Sequence, residues 1–141
     1  MPDTHSDIDP ALAQCLQRFA RLDAQTATPQ LDYVQRRRWL SEQQAQLLHQ
    51  QPLPGIALDN HFVAAPGREI AVRSYTSTGH TSGHTLVWLH GGGWMVGSLQ
   101  THDALCQHLA HYSGHTVLSV HYRRTPENPF PAAVDDAQAV L

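Results

Sequence analysis

Three consecutive glycines, Gly91 to Gly93, follow an apolar run and are flanked by His90 and Trp94. Glycine lacks a Cβ atom, so its backbone adopts positive φ angles readily and lets a ligand approach closely. Backbone N–H groups presented in this way bind negative charge. Two chemistries use them: a phosphate cradle at a helix N-terminus, and a set of donors for the oxyanion that develops during acyl transfer.

The neighbouring residues do not fit the phosphate chemistry. A dinucleotide loop follows the pattern G-x-G-x-x-G, but Val96 stands at the sixth position and Gly97 comes one residue late. His121 stands where an acidic residue is expected to bind the ribose, and the chain contains no lysine for a G-x-x-x-x-G-K loop. The oxyanion chemistry is therefore favoured, with a plain tight turn as the remaining alternative.

A strand–helix–strand unit is expected to position the glycines. Segments that begin at Ser82 and Ser113 share the letters S-G-H-T, and each leads into a short apolar run. Such runs are typical of strands buried on both faces of a mainly parallel sheet. The first strand covers 86–90, directly before the glycines, and a helix is predicted over 101–112, with a right-handed crossover. Another helix begins at Pro131.

The residues before this unit predict two helices and a β-hairpin. Asp9 and Pro10 mark the start of a helix over 9–22, and Thr28-Pro29 marks a second helix that reaches about residue 50. The first helix has an apolar stripe formed by Leu12, Leu16, Phe19 and Leu22. The pair is either a packed helical hairpin or a lid over a site formed later in the chain. A hairpin around Pro66-Gly67 follows.

Two separated motifs carry a family resemblance. The sequence HGGGW at 90–94, the segment GSLQTHD at 97–103 and the sequence HYRRTPENPFPAAVDDA at 121–137 occur in this order. Together they resemble the hormone-sensitive-lipase branch of the α/β-hydrolases, which comprises carboxylesterases and lipases. The resemblance covers the whole chain. It implies an α/β fold: the N-terminal portion of an α/β-hydrolase, with a β-hairpin and a βαβ unit preceded by two cap helices.

The resemblance also implies roles for individual residues. Gly92 and Gly93 would donate their N–H groups to the oxyanion, His90 would support the loop, and Trp94 would line the substrate pocket. Residues that would fix the loops beneath the site are Asp103, Tyr122-Arg123 and Pro126-Glu127. The sequence departs from the family pattern at His121, where Asp is usual, and at Arg124-Thr125, where Leu-Ala is usual.

The nucleophilic half of such a site is absent from these residues. Acyl transfer needs a nucleophile, a base and a group that orients the base, and α/β-hydrolases place the serine in G-x-S-x-G. No serine from Ser6 to Ser119 lies in that pattern. We therefore expect 1–52 to be an N-terminal helical cap region and 53–141 the N-terminal part of the core, truncated before the nucleophile and inactive alone. A receptor-like binding protein and one half of a split hydrolase are the alternatives.

Composition excludes several other classes. The formal charge of the 141 residues is −3, with no long basic run, so neither nucleic acid nor a membrane is expected as a partner. Without a visible signal peptide, and with Cys15 and Cys106 distant in sequence, a cytoplasmic protein with reduced thiols is predicted. His102 and Cys106 have helical spacing, yet no C-x-x-C or H-E-x-x-H supports a metal site, and no cofactor is expected.

The expected partner is a small acyl ester. The strand at 86–90 would be an open edge prone to self-association.

Overall fold

The computed structural model describes residues 8–25, 32–48, 52–79 and 81–141, without the side chains of residues 22, 23, 25, 47 and 48. These residues form four helices and four strands, and strands and helices alternate only from β3 onward. In chain order they are α1 (Pro10–Gln25), α2 (Tyr33–Leu48), β1 (Ile56–Ala65), β2 (Arg68–Ser77), β3 (Thr85–Leu89), α3 (Asp103–Ser113), β4 (Thr116–Val120) and α4 (Ala132–Val140).

The strands form one mixed sheet in the order β1-β2-β4-β3. β3 and β4 are parallel, which confirms the predicted βαβ unit, whereas β1 with β2 and β2 with β4 are antiparallel. Among the described residues β3 pairs only with β4, so it forms an edge of the sheet. Since parallel strands end on the same side, the loops that follow β3 and β4 meet at one edge.

The alternation of side chains along β2 and β4 divides the core between the two faces of the sheet. Ile70, Val72 and Val120 pack on one face with α4 residues such as Ala133. The other face is covered by α3 and contains a second buried cluster formed by Tyr75, Cys106, Ala110 and Val117. The helical spacing of Leu105, Leu109 and Tyr112 predicts that all three face inward. This is wrong for Leu105 and Tyr112, which are 44% and 81% exposed.

Local hydrogen bonds fix the helix ends. The Asp9 carboxylate accepts from the Ala11 amide at 2.8 Å, which confirms the predicted cap of α1. α2 begins with a reciprocal pair in which the Gln35 amide donates to the Asp32 carboxylate at 2.8 Å and the Asp32 amide donates to the Gln35 side chain at 3.4 Å. The start predicted at Thr28-Pro29 lies outside the described residues.

The two front helices are less buried than their sequences predict. Leu12 and Leu16 of the α1 stripe are 52% and 48% exposed, so this part of the stripe faces solvent. α1 contacts α2.

A search of the described helices for a membrane-spanning segment, which must be both long and apolar, gives none.

Candidate functional site

The glycine loop, residues 90–98, leaves the carboxyl end of β3 and turns sharply. Gly92, Gly93 and Gly97 have φ angles of +125°, +60° and +92°, and Trp94 has +58°. Residues 93–95 form a turn, and the next helix, α3, begins only at Asp103. The glycines therefore lead into a tight turn and not directly into a helix.

Two of these positions require glycine for lack of space as well as for φ. A Cβ on Gly92 would run into the backbone oxygen of Val96, and one on Gly97 would run into the backbone oxygen of Gly91. Gly93 has open space where a Cβ would lie, so only its φ angle favours glycine. The loop is thus folded back on itself at Gly92, with the surface of Gly93 open.

The amides of Gly92 and Gly93 have no hydrogen-bond partner among the described residues. The Gly92 carbonyl accepts from the amides of Met95, at 3.1 Å, and Val96, at 3.0 Å. Neither the Gly92 nor the Gly93 N–H donates a hydrogen bond to any described residue. Two adjacent donors at a turn with open space are therefore available to an external acceptor.

The carbonyls of the loop, in contrast, are bound by the second loop, residues 121–131, which follows β4. Three of them accept from its donors: the His90 carbonyl from the Tyr122 hydroxyl at 2.6 Å, the Trp94 carbonyl from the Thr125 amide at 2.8 Å, and the Gly97 carbonyl from Arg124 Nη1 at 2.5 Å. Arg124 and Thr125 are two of the three positions at which the sequence departs from the family pattern. Both contribute to holding the glycine loop.

Arg38 of α2 joins both loops. Its Nε donates to the Met95 carbonyl at 2.7 Å and its Nη2 donates to the Thr125 carbonyl at 2.6 Å. The same guanidinium pairs with both oxygens of Glu127, at 2.6 and 2.7 Å. This ion pair lowers the pKa of Glu127 to about 2. Sequence reasoning missed Arg38, because its partners lie far away in the chain and no local pattern identifies it.

His90 is buried beneath the loop, with 3% of the residue exposed. Its ring stacks on Tyr122 with centroids 4.2 Å apart, and its Nδ1 donates to the Gly91 carbonyl at 3.0 Å. Nε2 is buried without a partner among the described residues. Burial lowers the pKa of His90 to about 4, so the ring is neutral at pH 7. A neutral His90 adds no charge beside the free amides.

A pocket of about 460 Å³ lies above these residues. Trp94, which is 64% exposed, forms one part of its wall, and Leu89 forms another. The remaining apolar wall comes mainly from Ala133, Val134 and Ala137 of α4. Gly92 and Gly93 therefore line a largely apolar space of a size suited to a small molecule.

Two buried carboxylates, Asp103 and Asp136, join helices to the sheet beneath the site. Asp103 accepts from Arg73 and from the Tyr75 hydroxyl, both at 2.8 Å, which ties α3 to β2. Asp136 of α4 is 1% exposed and pairs with Arg68 of β2 and with Arg123 of the second loop. These contacts hold the helices against the sheet beneath the site.

Two buried serines, Ser98 and Ser119, lie outside the pocket above the glycine loop. Ser98 exchanges hydrogen bonds with Thr101, the Ser98 amide donating to the Thr101 hydroxyl at 2.8 Å. Ser119 is fully buried within β4. No group of three His, Cys, Asp or Glu side chains in the described part of the chain could hold a metal ion. Among the described residues, those that line the pocket include no serine and no cysteine.

Known proteins similar to this chain are ester hydrolases. A family model described as alpha/beta hydrolase fold matches residues 86–141. "Carboxylic ester hydrolase LipN" of Mycobacterium tuberculosis is 46% identical over 92 residues, which are 64% of this chain and 24% of the relative. "Ethyl acetate hydrolase" of Pseudomonas putida is 36% identical over 110 residues, 76% of this chain and 35% of the relative.

The fold comparison agrees with the sequence comparison. The crystal structure of "an esterase from the bacterial hormone-sensitive lipase (HSL) family" superposes with a TM-score of 0.73 at 28% identity, over 94% of this chain and 41% of that one. The chain thus spans between about a quarter and two fifths of the length of these proteins.

Proposed function

Because the chain belongs to the α/β-hydrolase family, in its hormone-sensitive-lipase branch, we propose that it supplies the oxyanion hole of a carboxylic ester hydrolase. The observation that carries the proposal is the pair of free amides at Gly92 and Gly93, set beside a pocket and on a loop whose carbonyls are bound elsewhere. The supporting relatives bear names of ester hydrolases.

The proposed chemistry is stabilisation of a tetrahedral intermediate. When a nucleophile attacks an ester carbonyl, the carbonyl oxygen becomes an oxyanion, and the N–H groups of Gly92 and Gly93 donate to it. Donors that are already aligned need no reorganisation during the reaction, and removal of one such donor lowers kcat by about 10²- to 10³-fold in serine hydrolases. His90 acts as a support beneath the loop, and Trp94 contacts the substrate.

The nucleophile, its acid partner and its base are proposed to come from polypeptide outside these 141 residues. This follows from the absence of G-x-S-x-G in the sequence and from the share of the relatives that the chain spans. On this proposal the chain alone is inactive, with 1–52 belonging to a cap and 53–141 to the core. Short acyl esters are the proposed substrates, since the pocket is small and one relative is named for ethyl acetate.

The test compares the 141-residue chain with a chimera. In the chimera, the chain is followed by the carboxy-terminal part of the Mycobacterium tuberculosis relative that lies beyond the region of similarity. We expect no labelling of the chain alone by a fluorophosphonate and no turnover of p-nitrophenyl acetate, whereas the chimera does both. Labelling of the chain alone would show that it has a nucleophile and would contradict the proposal.

Glycine variants of the chimera test the amides. Gly93→Ala places a methyl group over the open face of the turn, and we expect kcat to fall by about 10²-fold. Gly67→Ala is the matched control, because Gly67 also has a positive φ, +72°, and open space but lies in the β1–β2 turn. Equal kcat values for the two variants would remove the support for an oxyanion role.

We also propose that the chain self-associates through β3. Leu89, at the end of this edge strand, is 47% exposed, and the outer backbone groups of β3 have no strand partner among the described residues. Leu89→Lys should shift the chain toward monomer in analytical ultracentrifugation. Leu105→Lys on α3, where the leucine is 44% exposed, is the control. A monodisperse wild-type monomer at high concentration would contradict this proposal.

A cytoplasmic location is proposed as well. Its support is that both cysteines, Cys15 and Cys106, are free thiols in the structure. Such thiols persist in a reducing compartment. Fractionation of the cells that express the protein would test the location directly, and recovery outside the cytoplasm would contradict it.

A further inference from the structure

A second cavity, of about 380 Å³, lies between the second loop, α2 and the β1–β2 hairpin. Its wall includes Phe62 of β1, Ala71 of β2 and Asn128 of the second loop. It shares only Tyr122 with the pocket above the glycine loop. It is therefore a separate space, on another side of the second loop.

Positive charge predominates in the wall of this cavity. Arg38, Arg123 and Arg124 line it, against the carboxylates of Glu69 and Glu127. Arg38 pairs with Glu127, and Arg123 shares the carboxylate of Asp136 with Arg68. The third arginine of the wall is Arg124.

Arg124 has no carboxylate partner within ion-pair distance among the described residues. The single hydrogen bond of its guanidinium to a described residue runs from Nη1 to the Gly97 carbonyl at 2.5 Å. Burial, and then the charge of Arg38, lower the pKa of Arg124, while Glu42 and Glu127 act in the opposite sense from a longer range. A guanidinium carries five N–H donors in a fork that matches a carboxylate, so most of its donors are available.

His121 provides a second polar group without a partner at the same place. It lines the cavity next to Tyr122, and its Nδ1 is buried with no hydrogen bond to any described residue. Asn128, opposite, donates from its amide to the Arg124 carbonyl at 3.3 Å, which leaves its side-chain oxygen free of the loop. An unbalanced guanidinium and an unsatisfied imidazole thus lie in the wall of one cavity.

We propose that this cavity binds a small carboxylate ion, held by the guanidinium of Arg124 at a site separate from the glycine loop. The carboxylate would accept hydrogen bonds from the Arg124 donors that do not contact Gly97. The cavity is large enough for acetate or a slightly longer monocarboxylate. The proposal stands on the cavity and its charge and does not depend on the oxyanion role of Gly92 and Gly93.

Titration of the full chain with sodium acetate, at ionic strength held constant with sodium chloride, tests the site by NMR. The Nε–H signal of Arg124 and the amide of Asn128 are expected to shift and to saturate. In Arg124→Gln, which loses the charge, the apparent Kd should rise at least about tenfold. Arg124→Lys keeps the charge without the fork, so its affinity should lie between those of the wild type and Arg124→Gln.

Arg37→Gln is the matched control, since Arg37 is an exposed arginine of α2 that does not line the cavity. Its Kd should equal that of the wild type. Shifts that rise linearly with acetate, or an unchanged Kd in Arg124→Gln, would overturn the proposal. Saturable shifts confined to the amides of Gly92 and Gly93 would also overturn it, because they would place the carboxylate on the glycine loop. If Arg124→Gln does not fold, Arg124→Lys replaces it as the test, and a Kd of Arg124→Lys equal to that of the wild type would overturn the proposal.

Discussion

The two loops at the carboxyl ends of β3 and β4 lie side by side and are built in opposite ways. The glycine loop takes its shape from positive φ angles and contributes carbonyls as acceptors. The second loop contributes side-chain and backbone donors: Tyr122, Arg124 and Thr125 each bind a carbonyl of the glycine loop. One loop is shaped by its own backbone, and the other holds it in place.

The difference explains how a chain can hold amides open. Because its neighbour binds the glycine loop at three carbonyls, the loop keeps its shape without a hydrogen bond from every one of its own N–H groups. The unpaired N–H groups of Gly92 and Gly93 are tolerated because both residues are exposed and line a pocket. Perturbing each loop separately should therefore have different consequences.

The largest effect is expected from the backbone of the glycine loop itself. In Gly92→Ala the Cβ would collide with the Val96 backbone, at a φ of +125° that side chains rarely adopt. We expect the free energy of unfolding to fall by about 3 kcal/mol or more. Denaturant titration measures it, with Gly67→Ala, which combines positive φ with open space, losing about 1 kcal/mol. Equal losses of unfolding free energy in Gly92→Ala and Gly67→Ala would mean that the close approach of the Val96 backbone to Gly92 adds no cost to the substitution.

Acidification should lower the stability of the protein, because His90, which is buried beneath the glycine loop, is neutral in the folded state and must take up a proton. An ordinary histidine titrates near pH 6.5, whereas burial lowers the pKa of His90 to about 4. The unfolded chain therefore binds more protons between these values. Stability is complete above about pH 6.5, falls as the pH drops toward 4 and is constant below, a loss of about 3 kcal/mol from this group.

Two measurements separate this effect from others. Unfolding by denaturant at pH 7.5 and at pH 4.5 gives the total loss, to which His102 and His121 contribute in the same direction because burial lowers the pKa of each. NMR titration of the His90 ring identifies its own share. The ion pair of Glu127 is lost only from about pH 4.5 down to about 2, below this window. A His90 ring that titrates near pH 6.5 would contradict the buried support.

The strands and the glycine loop could be predicted from the sequence because their signals are local. Apolar runs after S-G-H-T gave β3 and β4, and Asp9 gave the start of α1. Residue type and spacing identified the glycine loop, and the family resemblance carried by HGGGW assigned Gly92 and Gly93 to the oxyanion hole. Their roles remain predictions.

The donors that hold the loop could not be predicted in the same way. Arg38 belongs to a run of three arginines and lies 57 residues from Met95 and 89 from Glu127. Nothing in the local pattern distinguishes it from Arg37. The solvent-facing part of the α1 stripe, at Leu12 and Leu16, likewise depends on what packs against the helix, which periodicity does not reveal.

Removing Arg38 should loosen both loops together. Arg38→Met keeps the length of the side chain but loses the bonds to Met95, Thr125 and Glu127. We expect a loss of about 2 kcal/mol in the free energy of unfolding, since the guanidinium is only 17% exposed and its partners are left without a donor. Arg37→Met, which removes a contact with the Tyr33 ring, should cost about 0.5 kcal/mol. Similar losses of unfolding free energy in Arg38→Met and Arg37→Met would contradict the inference that Arg38 holds the two loops together.

Tyr122→Phe is expected to have the smallest effect, and it divides the second loop's contribution into two parts. The substitution deletes only the hydroxyl that donates to the His90 carbonyl at 2.6 Å and keeps the ring that stacks on His90. The lost hydrogen bond should cost about 1 kcal/mol in the free energy of unfolding, because the carbonyl is left buried without its donor. The pKa of His90 should stay near 4, since burial by the stacked ring is unchanged. If the ring instead titrates near pH 6.5 in Tyr122→Phe, the hydroxyl and not the stacking keeps His90 buried.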